Sequence, residues 1–249
     1  PQIQGLGGES TGLILSALLA GNRPLTWQDS NAETAYKELI THNVVRPGDA
    51  AEVSWAWKTI LERRYGPAGI ALTRQDIAVF ERGDGDASGE AFASARKVAL
   101  GAYVLAEAPN GRPDVILIAT GSEVQLAVAA RAQLAIAGIN ARVVSAPCLE
   151  WFEEQSPEYR ESVLPASVTA RVSVEAGIAL GWRGYVGDRG RSISIEHFGA
   201  SADGQTLFRE FGITAEAVVA AAQESIAAPL AVPITVHQFR ISNSLRRTP

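Results

Sequence analysis

A single cysteine, no methionine and three histidines leave this 249-residue chain little thiol or imidazole chemistry. Cys148 has no second cysteine to pair with, so an intramolecular disulfide is excluded and a reducing, cytoplasmic setting fits. It lies in Ala146-Pro147-Cys148-Leu149, just after an expected strand, and no His, Asn or Asp pattern points to it. It reads as a small packing residue. Long apolar runs are also missing. Leu13 to Ala20 falls far short of the ~20 residues that cross a bilayer, and no charged leader or cleavage site marks a signal peptide. No membrane partner is expected. Excess positive charge is absent too. A formal net charge of −5 implies no broad basic surface, which argues against nucleic acid as a partner. Arg240, Arg246 and Arg247 make the tail locally basic but are a weak signal. A chain that begins at Pro1 and holds no methionine reads as a fragment.

What is present is enough for a core. Hydrophobic residues make up 47% of the chain, and its length suggests one to two domains. The most informative stretch runs from Asp114 to Val124. Val115 to Ala119 is a short, continuous apolar run rich in β-branched residues, which suits a strand covered on both faces of a parallel sheet. Gly121 permits a tight turn. Ser122 is the expected N-cap of a helix to about Ala137, stopped by Gly138, with Glu123 placing negative charge near the positive helix end. The same strand-Gly-Ser-helix turn can instead bind an anion through free backbone N–H groups.

Further elements follow from pattern. Asn31 to Ile40 is expected to be helical. Val44-Val45 closes a strand, Arg46-Pro47-Gly48-Asp49 makes a turn, and Asp49 caps a helix over 50–64. Val53, Trp57, Ile60 and Leu61 form its apolar stripe. Ala68 to Thr73 is the next strand. Residues 76–98 are polar and glycine-rich, as in a linker, with a short helix near Ala91 to Lys97. Tyr103–Ala106 is an expected edge strand. Further strands are expected at Arg142–Ser145, Ala170–Glu175 and Ser192–Glu196. Helices are expected at 156–163, 176–186, 206–211 and 215–226. Such alternation predicts an α/β, doubly wound, mostly parallel sheet.

From Val44 to about Ile226 the chain resembles the C-terminal part of the transketolases. The segments Val45-Arg46-Pro47-Gly48-Asp49-Ala50, Ala71-Leu72-Thr73-Arg74-Gln75 and Ile118 to Val124 carry the resemblance. So do Pro147 to Phe152, Val174-Glu175-Ala176-Gly177 and His197 to Asp203, in the family's order. The resemblance implies residues 43–75 as a remnant of an incomplete α/β pyrimidine-binding domain, 76–98 as linker and 99–227 as the family's C-terminal domain. Residues 1–42 and 228–249 are divergent ends. It also implies an enzyme that moves a two-carbon ketol unit between sugar phosphates with thiamine diphosphate and magnesium. Such enzymes are usually homodimers with sites at the subunit interface. Arg74 matches the arginine that contacts the substrate's terminal phosphate, a task suited to a planar, permanently charged guanidinium. The bland alternative pairs Arg74 with Asp76 or Glu81.

Departures from the family pattern are as informative. The diphosphate-binding domain and its magnesium motif are missing, and Gly83-Asp84-Gly85 lies in the linker without the partner asparagines. The glutamate that activates the cofactor is missing with them. Gly5 to Gly12 begins like the family's substrate loop and then diverges. His42 is expected to be a surface or turn residue and His197 a structural one, and His237 lies in the tail. Shifted reading frames or a truncated gene would account for the ends, residues 8–42 and 227–249. The chain alone is therefore expected to be inactive and to bind neither thiamine diphosphate nor magnesium. Its completion would need a homodimer or a missing N-terminal part. Rival readings are another thiamine diphosphate enzyme, such as a 1-deoxyxylulose phosphate synthase or a 2-oxoacid dehydrogenase beta subunit, or a dimerisation or anion-binding module.

Overall fold

A computed structural model describes residues 43–63, 67–88, 91–109 and 111–229. The expected helix Asn31–Ile40, the Gly5–Gly12 segment, His42 and His237 lie outside the described residues. The chain enters with strand β1 (Asn43–Val45), helix α1 (Ala50–Glu62) and strand β2 (Ala68–Ile70). The two strands pair in parallel, Asn43 opposite Ala68 and Val45 opposite Ile70, with α1 as the crossover. Asp49 caps α1 as expected, its carboxylate accepting the Glu52 N–H at 2.8 Å. The Gly48 N–H in turn donates to Glu52 Oε2 at 2.7 Å, a variant of the reciprocal cap. Strand β2 stops at Ile70, three residues short of the expected end.

The buried face of α1 differs from the expected one. Glu52, Ala56 and Thr59 are buried, whereas Leu61 is 69% exposed. Trp57 and Ile60 are half-buried and pack on the main core. Glu52 turns inward because its partners, described below, are polar, while Ala56 joins the main apolar core.

The second sheet has five strands in the order β3-β5-β4-β6-β7: β3 (Tyr103–Ala106), β4 (Val115–Ala119), β5 (Ala141–Ser145), β6 (Arg171–Val174) and β7 (Arg191–Ile193). All pairs are parallel except β3 with β5, so the expected mostly parallel sheet with Tyr103–Ala106 at an edge is observed. Every residue of β4 is buried. Its side chains alternate between two cores. Val115, Leu117 and Ala119 join the cluster formed with helices α2 (Val124–Ile136) and α7 (Ala215–Ala227). Ile116 and Ile118 join Phe152, Val163 and Trp182 on the other face. That second face is covered by three short helices, α3 (Leu149–Glu153), α4 (Pro157–Val163) and α5 (Arg183–Val186). Helices on both faces make the sheet doubly wound. Helix α6 (Gly204–Glu210) precedes α7, and Asp203 caps it.

Two local expectations are corrected. The helix expected at 176–186 is a 3-10 turn, Ala179–Trp182, that leads into α5; the Ala176 N–H is diverted to the Glu123 carboxylate at 3.2 Å. The short helix expected near Ala91–Lys97 forms as a 3-10 helix at Ala95–Leu100. Gly101 ends it at φ +83°, where a Cβ would lie 2.2 Å from the Phe152 nitrogen, so only glycine fits. Helix α3 had no sequence signal of its own.

Candidate functional site

Arg74 is the one residue that the sequence assigned to substrate. It is exposed and sits on a bend four residues beyond β2, away from the strand end where it was expected. The loop that carries it is fastened at several points. The Ala71 N–H bonds the Val45 carbonyl at 2.9 Å and the Phe80 N–H bonds Asp49 Oδ2 at 3.1 Å. Gln125 donates to the Ala78 carbonyl at 2.9 Å. Thr73 Oγ1 donates to Gln75 Oε1 at 2.5 Å, and the Gln75 amide packs so closely on Gly204 that a Cβ there would lie 2.5 Å from Nε2. Arg74 is thus presented to solvent from a braced loop, beside the start of α6. His197 lies on the nearby loop, its ring edge-on to Phe211 at 4.8 Å, a packing role.

The stretch expected to be a linker contributes a highly connected residue, Arg82. Arg82 is 8% exposed and reaches Asp49 Oδ2 through Nε and Nη2 at 3.2 and 3.0 Å. It also donates to the Ala93 carbonyl at 3.0 Å, to the Tyr103 hydroxyl at 2.8 Å and to Glu52 Oε1 at 3.4 Å. Glu52, fully buried, further accepts from the Tyr103 hydroxyl at 2.5 Å and from Ser145 Oγ at 2.8 Å. Burial alone would lower the pKa of Arg82; the Tyr103, Glu52 and Asp49 oxygens reverse this and raise it. Burial, seconded by Glu52, pushes the Tyr103 hydroxyl well up, so it stays protonated. This network joins α1, the 76–98 stretch, β3 and β5. Sequence reasoning missed it; the single legible signal was the spacing Asp49-x-x-Glu52.

A second polar cluster occupies the carboxyl ends of β4 and β6. Connections leave these adjacent strands toward opposite faces, which makes a crevice where open α/β sheets commonly hold ligands. Here Arg46 fills it. Its guanidinium bonds Glu175 Oε1 through Nη1 and lies 3.5 Å from Glu123 Oε2 through Nη2. Glu123 is fully buried. Burial raises its pKa, and Arg46 only partly offsets this. Ser122 does not cap α2. The helix opens through a 3-10 turn, Gly121–Glu123, with Thr120 in the cap position and no side-chain cap bond. Ser122 Oγ is 3.4 Å from Glu123 Oε2. At this turn, which could have bound an anion as the alternative to capping, the chain places its own Glu123 side chain.

Cys148 is buried as expected, and burial pushes its thiol far up. Among the described residues, no group of three or more His, Cys, Asp or Glu converges as metal ligands would. In the switch-point crevice the acidic groups of Glu123 and Glu175 are engaged by Arg46 and by neutral donors. Among the described residues, no helix is long and apolar enough to cross a membrane.

The doubly wound sheet with one antiparallel edge, beside a β-α-β unit, defines an α/β protein. Residues 101–214 match the sequence profile of the transketolase-like TK C-terminal domain. The transketolase of Mycobacterium tuberculosis (strain H37Rv) is 56% identical over 199 residues, covering 78% of this chain and 27% of that protein. The Aquifex aeolicus transketolase is 49% identical over 175 residues, 70% of this chain and 24% of its own length. A solved Pichia stipitis transketolase in complex with sedoheptulose-7-phosphate superposes with a TM-score of 0.67 at 35% identity, covering 78% of this chain and 26% of that one. The chain belongs to the transketolase family, as its C-terminal region. It spans about a quarter of the length of the curated relatives it matches.

Proposed function

We propose that this chain is the C-terminal part of a transketolase that transfers a two-carbon ketol unit between sugar phosphates, and that it is inactive alone. The observation that carries the reading is the 56% identity over 199 residues to a transketolase of which only 27% is spanned. The family is thiamine diphosphate-dependent, and the cofactor supplies the carbanion chemistry there. The chain spans only about a quarter of such an enzyme, and an N-terminal part or a partner subunit completes the catalyst in this reading. A homodimer in the cytoplasm is the proposed setting for the assembled enzyme.

In that assembly Arg74 binds the terminal phosphate of the sugar. Two N–H groups of a guanidinium match two phosphate oxygens. The braced loop keeps the arginine in place, which lowers the ordering cost of binding. Two measurements test the proposal. The purified chain, given thiamine diphosphate, magnesium, a ketose phosphate and an aldose phosphate, is expected to show no ketol transfer; measurable transfer refutes its inactivity alone. Calorimetric titration with ribose 5-phosphate is expected to give weak binding that falls about tenfold in Arg74→Ala, the loss of roughly one charge-assisted contact. Equal affinity in the variant removes the phosphate role.

A further inference from the structure

We propose that the crevice between β4 and β6 is a guanidinium receptor, filled by the chain's own Arg46, and that this seating fastens the β1-α1-β2 unit to the five-stranded domain. The inference is independent of the role given to Arg74. It starts from how the two carboxylates are held. Glu123 has one oxygen engaged by the Ala176 N–H at 3.2 Å, and its other oxygen faces Arg46 at 3.5 Å. Glu175 has one oxygen engaged by the Trp182 indole N–H at 2.7 Å, and its other oxygen receives Nη1. Each carboxylate is therefore fixed by a neutral donor and presents its remaining oxygen to the same small space. Two oxygens held apart in this way suit the two-pronged, planar guanidinium, and a point-like ammonium cannot span them.

The walls agree with that assignment. Gly121 has φ +61°, and a Cβ there would lie 3.3 Å from Arg46 Nη2, crowding the guanidinium. The main chain of Arg46 is gripped as well. Its N–H bonds the Pro147 carbonyl at 2.7 Å, and its carbonyl accepts from the Gly121 N–H at 3.0 Å and Thr120 Oγ1 at 3.3 Å. Arg46 directly follows β1, so seating it fixes where β1 and α1 lie against the larger sheet. A crevice that other doubly wound domains open to a ligand is here closed by an internal one.

Chemical rescue tests the assignment. Arg46→Ala is expected to melt several degrees below the parent chain. Methylguanidinium, well below denaturing concentrations, should return more than half of that loss along a saturable curve, and equal methylammonium should return none. The rescue should vanish in the Arg46→Ala, Glu123→Gln double variant, and Arg46→Lys should not replace it. Hydrogen exchange supplies the readout for the joint: amides of residues 43–62 should exchange at least tenfold faster in Arg46→Ala, with β4 and β5 unchanged. Should Arg46→Ala not fold, Glu175→Gln carries the same exchange measurement, because Glu175 sits at the more open rim. Rescue by both cations alike, or unchanged exchange in residues 43–62 in whichever variant folds, overturns the proposal.

Discussion

Replacing Glu52 with glutamine probes the buried network with almost no change of shape. The parent carboxylate accepts four bonds: Tyr103 and Arg82 and Ser145 on Oε1, and Gly48 on Oε2. A glutamine keeps one carbonyl oxygen, which can retain the Gly48 N–H. Its amide nitrogen then faces the Tyr103 and Ser145 hydroxyls, which can turn to accept, but it confronts Arg82 with like polarity. Arg82 keeps Asp49, so the guanidinium is not stranded. Hydrogen bonds to charged groups are worth about 1.5–3 kcal/mol each, and removing one partner of a buried pair costs roughly 3–5 kcal/mol when nothing else compensates. With Asp49 compensating, Glu52→Gln should cost about 2–3 kcal/mol. At this chain length that is a fall of roughly 4–12 °C in melting temperature. Thermal unfolding followed by circular dichroism reads it, and Tyr103→Phe in a double-mutant cycle should show coupling of at least about 0.5 kcal/mol. A Glu52→Gln variant that melts within a degree or two of the parent would refute the reasoning, as would strict additivity with Tyr103→Phe.

Three further outcomes are expected. Burial raises the Glu123 carboxyl above its ordinary value, so the folded chain holds that proton more tightly than the unfolded one; the difference in stability between parent and Glu123→Gln should fall as pH rises from about 4 to 7, and a difference that rises instead contradicts this in urea titrations. Ser122→Ala should change stability by less than about 0.5 kcal/mol, since no cap bond is lost, and a loss near 1 kcal/mol would restore the capping role. Cys148, buried and with its thiol pushed up, should resist a thiol-specific reagent at neutral pH until denaturant is added; rapid labelling of the native chain would disprove that.

The sequence was legible where burial is two-sided or where a turn has its own chemistry. Val115–Ala119 is apolar throughout because both faces of β4 are covered, and Asp49 and Gly138 mark helix ends by local geometry alone. It misled where a polar contact overrides periodicity. The stripe through Val53 and Leu61 looked like the buried face of α1, yet the helix turns Glu52 and Thr59 inward, because Arg82, Tyr103 and Ser145 await Glu52 there. Arg82 itself sits in a glycine-rich, polar stretch that reads as a linker, and nothing local says that its partners lie 33 and 30 residues upstream. Ser122 failed as a cap for a similar reason: Glu123, drawn to Arg46, defines the turn.

The margins of the five-stranded sheet bear on how copies of this chain meet. Strand β3 lies antiparallel along one margin, and its pairing with β5 slips between Val104 and Ala106. Strand β7, along the other, is three residues long. A strand from another molecule needs a long, flat row of unpaired backbone groups to extend a sheet. An irregular border on one side and a stub on the other supply none. This five-stranded sheet is therefore a poor template for edge-to-edge growth, and association through it would run by way of side chains.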